Sequence, residues 1–93
     1  MGRCKYEQLK HIEIALNKVR IFKDLKEPKP GIFYLKSQGF LHFHEKNEKI
    51  WADARDGKNW GMPIDLPPKV TKSFLLKFVR EIRDRYLNSG GII

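Results

Sequence analysis

The chain predicts an α+β fold: a helix, a four-stranded antiparallel meander sheet and a second helix, with both helices on one sheet face. Three observations carry this. Apolar residues recur every three or four positions near both ends of the chain, the period of a half-buried helix. Through the middle they alternate, the period of a strand. Polar clusters only a few residues long separate the alternating runs. They are too short for crossover connections, so neighbouring strands must run antiparallel.

The first helix is expected from Lys5 to about Phe22. Tyr6, Leu9, Ile12, Ala15, Leu16, Val19 and Phe22 share one side, and Lys10, Glu13, Asn17 and Lys18 take the other. It should end near Lys23, because Pro28, Pro30 and Gly31 follow. Ile32–Lys36 is the first strand, and Ser37-Gln38-Gly39 a three-residue turn with glycine where positive φ is needed. Phe40–Glu45 is the second strand, closed by a two-residue turn at Asn47-Glu48, and Ile50–Arg55 is the third. Asp56-Gly57 is a hairpin signal that leads into a fourth strand, residues 59–64, where Pro63 marks an edge. Thr71 caps the second helix, which runs to about Leu87 with Phe74, Leu75, Phe78, Val79, Ile82 and Tyr86 as its stripe. Asn88-Ser89-Gly90-Gly91 stops it, and Ile92-Ile93 form a short apolar tail.

Turn lengths set register, and register sets which face each side chain takes. The three turns pair Leu35 with Leu41, Tyr34 with His42, His42 with Asp53, His44 with Trp51, Asp53 with Trp60 and Trp51 with Met62. One face is then apolar and small: Phe33, Leu35, Leu41, Phe43, Ile50, Ala52, Ala54 and Gly61. It is the side that takes the helices. The other face carries Ile32, Tyr34, Phe40, His42, His44, Trp51, Asp53, Arg55, Trp60 and Met62. A solvated sheet face normally shows Thr, Lys, Glu and Ser, so both tryptophans and two histidines there point to binding.

Composition bounds what that binding can be. Residues 1–93 are the length of one domain, and hydrophobic content of 41% is enough to build a core. Cys4 is the only cysteine, which excludes an internal disulfide and suits a reducing, cytoplasmic location. No apolar run spans a membrane, and the first residues have neither a signal-peptide h-region nor, with Tyr6 where Ser or Thr is wanted, a myristoylation pattern. Net charge is +8. Such charge either meets a polyanion or keeps the protein soluble, and it is spread along the chain rather than clustered. Lys72, Lys77, Arg80, Arg83 and Arg85, interleaved with Glu81 and Asp84, read as a solvated helix face.

His42, His44 and Asp53 are the one cluster with ligand or acid–base chemistry, because His-x-His on a strand puts both imidazoles on one side. Cys4 and His11 are distant in sequence and no nucleophile sits beside the pair, so no metal, cofactor or catalytic residue is assigned. The alternative is a metal-binding or His-Asp acid/base enzyme of unknown substrate. The bland reading is a structural His–Asp hydrogen bond.

The run Gly31–Glu45 followed by Trp51-Ala52-Asp53 resembles small bacterial proteins in which a Phe-Leu-His-Phe-His-Glu strand precedes an Ala-Asp strand. The resemblance covers about the middle third of the chain. It implies a bacterial origin and brings no assigned activity. The helix-sheet-helix order is also similar, in topology alone, to frataxin-like and, more loosely, MmcQ/YjbR-type folds. Frataxins present an acidic surface for iron, and this chain's charge has the opposite sign.

The functional expectation is a non-enzymatic, basic binding domain acting through Tyr34, Phe40, His42, His44, Trp51, Asp53, Arg55 and Trp60. On such a sheet, bases of single-stranded nucleic acid stack on rings while Lys and Arg neutralise phosphates. Two competing uses of the face are a protein partner, including a symmetric homodimer, and cover by a segment of the chain itself.

Overall fold

The computed structural model describes residues 2–92; Ile93 of the apolar tail lies outside them. The fold class is α+β, with two helices and an antiparallel sheet. A short strand β1 (Gly2–Arg3) precedes a 3-10 stretch, Tyr6–Ile12, which continues into α1 (Glu13–Val19). This composite helix buries Leu9, Ile12, Ala15, Leu16 and Val19, as the three- and four-residue spacing requires. Helix α2 (Lys72–Asn88) begins at Thr71, whose side chain accepts a hydrogen bond from the Phe74 N–H at 3.0 Å. It buries Phe78, Ile82 and Tyr86. A single core cluster joins these residues to Phe33, Leu35, Leu41, Phe43, Ala52 and Ala54 of the sheet.

The sheet is larger than the four strands expected. Its order is β2 (Leu25–Lys29), β3 (Ile32–Leu35), β4 (Gln38–Lys46), β5 (Lys49–Asp56), β6 (Asn59–Trp60). In addition, β1 pairs with β4, and β7 (Ile64–Leu66) pairs with β5. Strand β2 lies where the prolines predict only a loop. Its pairing with β3 shifts between Lys26 and Lys29, so Pro28 falls at an irregularity of an edge strand, where a missing N–H is tolerated. Pro30-Gly31 then turns the chain between paired Lys29 and Ile32, with Gly31 at φ 82°.

The middle hairpin has the register expected: His42 faces Asp53, Phe43 faces Ala52 and His44 faces Trp51, across Asn47 and Glu48 at positive φ. The flanking hairpins differ. The β3–β4 turn is the two residues Lys36 and Ser37, both at positive φ, and it pairs Leu35 with Gln38 and Tyr34 with Gly39. A bulge follows, since the next pair is Phe33 with Leu41. The extra residue is Phe40, and the bulge re-aims it into the core beside Leu41. At the far side Gly57 and Lys58 form the turn, so Trp60 pairs with Arg55 and not with Asp53. The predicted fourth strand breaks at residues 61–63 and resumes as β7 one register step later. Asp65, not Met62, therefore lies opposite Trp51.

Arg85 corrects a further expectation. It is not on a solvated face but buried, at 7% exposure. Its guanidinium donates to the carbonyls of Ala54 at 3.1 Å and Met62 at 3.0 Å and pairs with Glu81 at 2.7 Å. The next residue, Tyr86, makes a second tie from the same helix. Its hydroxyl meets the carbonyls of Lys23 at 2.6 Å and Ile92 at 3.0 Å, which ties Ile92 to the helix. No helix is long and apolar enough to cross a membrane among the described residues.

Candidate functional site

The site follows from strand alternation. With Phe33, Leu35, Leu41, Phe43, Ala52 and Ala54 buried, the intervening Tyr34, His42, His44, Trp51, Asp53 and Arg55 point to the opposite side, joined there by Trp60 through its pairing with Arg55. Seven of the eight expected residues are thus brought onto one face. Phe40 is the exception. It is 0% exposed and packs edge-on against Tyr86, 6.3 Å between centroids, so it has no surface to offer a ligand.

A transverse row crosses this face. Lys26 lies opposite Tyr34, Tyr34 opposite Gly39, and Arg55 opposite Trp60. The row is closed by side chains. Arg55 donates to the Gly39 carbonyl at 2.8 Å and to the Lys58 carbonyl at 3.0 Å, and its guanidinium carbon lies 4.5 Å from the Trp60 ring centroid. The far edge of the Trp60 ring reaches back over Gly39, where a Cβ would stand 3.7 Å from it. Tyr34 (39% exposed) and Trp60 (43% exposed) are the two rings of the face most open to solvent. Beside Tyr34 runs an open groove of about 800 Å³, lined by Ile32, by Lys26, Lys29 and Lys36, and by the carboxylates of Asp24 and Glu27. Lys36 is partly committed, because its ammonium donates to the Gly90 carbonyl at 2.9 Å.

The second half of the site is a knot of rings and one carboxylate. His42 stands edge-on to Trp60, 4.6 Å between centroids and 78° between planes, and edge-on to His44, also 4.6 Å. His44 is tilted 32° against Trp51, with 5.5 Å between ring centroids. The close polar contact forms on the diagonal, with His44 Nε2 3.1 Å from Asp53 Oδ2, although His42 is the residue directly opposite Asp53. Among the described residues, one donor atom each from His42, His44 and Asp53 lie within 4.8 Å of one another.

Lys26 and Gly39 are the parts of this site that sequence reasoning missed. Leu25-Lys26-Glu27 gives too short a run to declare a strand before two prolines. Gly39 was spent on a turn, whereas its use is to leave the sheet flat beneath Trp60. No family model matches the chain, and no curated protein or solved structure does.

Proposed function

We propose that the protein is a binding domain for single-stranded nucleic acid that works through the Tyr34–Trp60 row. The observation that carries this is the row itself: two open rings separated by a glycine, with Lys26 at one end and Arg55 beneath the other. Bases offer a π-face to any ring, so successive nucleotides can stack on Tyr34 and Trp60 without sequence preference. Phosphates then run towards Lys26 and Lys29 along the groove and towards Lys58 at the other end. The reading takes both helices to back the opposite face, which their shared burial with Phe33, Leu41 and Phe43 supports.

Titrating a short oligonucleotide against tryptophan fluorescence tests this. Tyr34→Ala and Trp60→Ala should each weaken binding by about 1–3 kcal/mol. Lys26→Ala should reduce the slope of log affinity against log salt by about 0.7, the single-strand value for one phosphate contact. Lys77→Ala, on the exposed side of α2, should change affinity little. Binding that ignores both rings and vanishes at physiological salt would leave only generic attraction between a basic chain and a polyanion. If the free protein sediments as a dimer that Trp60→Glu dissolves, the rings instead serve a second copy of the chain.

A further inference from the structure

We infer that His42, His44 and Asp53 form a three-ligand site for a divalent transition metal of the zinc and cobalt type. Neither the stacking row nor its charge requires this, and it stands on different atoms. The donor set is the first argument. Two imidazoles and one carboxylate suit borderline metals such as Zn²⁺, Co²⁺ and Ni²⁺, whereas Ca²⁺ and Mg²⁺ want oxygen alone.

Spacing is the second argument. In a tetrahedral site with bonds of about 2.0–2.2 Å, donor atoms stand roughly 3.3–3.6 Å apart. His44 Nε2 and Asp53 Oδ2 are already 3.1 Å apart, and His42 has a donor atom within 4.8 Å of both partners. Small side-chain rotations close the remainder.

Placement is the third. All three ligands project from two strands in fixed register, not from loops, so the backbone need not move. All three are half-buried, and Trp51 against His44 and Trp60 against His42 limit how the imidazoles can turn. Three protein ligands leave a coordination position open for water or for an external donor atom.

The test uses the tag-free chain, stripped with chelator and titrated with cobalt(II) chloride. The expected result is one-to-one binding with visible d–d absorption, quenching of tryptophan fluorescence and displacement by zinc chloride. His42→Gln, His44→Gln and Asp53→Asn should each weaken it by more than about 100-fold, beyond the roughly 10–100-fold that loss of a supporting residue costs. His11→Gln should leave it unchanged. One-to-one binding that survives any of the three ligand substitutions, or no binding by the native chain at millimolar cobalt, overturns the site. Should a ligand variant fail to fold, the native chain still decides. Cobalt must broaden the imidazole resonances of His42 and His44 before that of His11, and the reverse order refutes the assignment. Loss of nucleic-acid binding in Tyr34→Ala with cobalt binding intact would separate the two sites.

Discussion

Replacing Arg85 tests how the second helix is fastened to the sheet. Its side chain is 8% exposed and makes three charged contacts, to Ala54 O, Met62 O and Glu81. Hydrogen bonds to a charged group contribute about 1.5–3 kcal/mol each, but they share one side chain and do not add. Two features reduce the loss. Glu81 is half-exposed and can return to water, and the Ala54 carbonyl keeps the Gly61 N–H at 2.8 Å. The Met62 carbonyl loses the contact it makes with Arg85. Arg85→Ala should therefore cost about 2–4 kcal/mol, somewhat below the roughly 3–5 kcal/mol of a fully buried broken pair. At about 4–8 °C per kcal/mol for a domain of this size, the melting temperature should fall by roughly 10–30 °C. Arg85→Met keeps the apolar stem and should recover part of that, leaving about 1–3 kcal/mol for the deserted carbonyl. Urea titrations and thermal melts followed by circular dichroism measure both. Stability in the order wild type, Met, Ala supports the account. An Arg85→Met protein as stable as wild type would refute it, since the carbonyls would then be satisfied without the guanidinium.

Two further measurements bear on the sheet and its edge. Phe43→Ala, in the core opposite Ala52, should cost about 3–5 kcal/mol, and a loss under about 1 kcal/mol in a denaturant titration would mean the β4–β5 register is wrong. Burial pushes the Glu27 carboxyl up, but hydrogen bonds from Arg20 and from the Gly31 N–H outweigh this and hold it below the usual carboxylate range. A lowered folded value means the stabilisation is complete above the unfolded carboxylate pKa of about 4.3 and is lost as pH falls through the folded one. The stability gap between wild type and Glu27→Gln, from urea midpoints, should therefore shrink as pH drops from about 5 to about 3; a gap that widened would reverse the sign.

Local rules read the chain well wherever one pattern had no competitor. Residues 41–55 alternate and enclose a polar two-residue turn, so the register of His42, His44, Trp51 and Asp53 followed directly from the residues. Thr71 had no rival as a cap, and the two helical stripes could only face a core. Where two local signals competed, tertiary structure chose. Gly39 suited a three-residue turn, but a tighter turn with positive φ at Lys36 and Ser37 lets the bulge bury Phe40 against Tyr86. Arg85 stands three residues after Ile82, on the buried stripe, yet its charge argued for solvent. Only the folded chain reveals backbone carbonyls waiting at Ala54 and Met62 to receive it. Sequence periodicity assigns each side chain to a face. It does not report diagonal contacts such as His44 with Asp53, or the reach of Trp60 across Arg55 to Gly39, because these depend on side-chain packing across strands. The sequence alone therefore determined the face that His42, His44, Trp51 and Asp53 share, and the tertiary structure moved Phe40 into the core and decided which side chains touch.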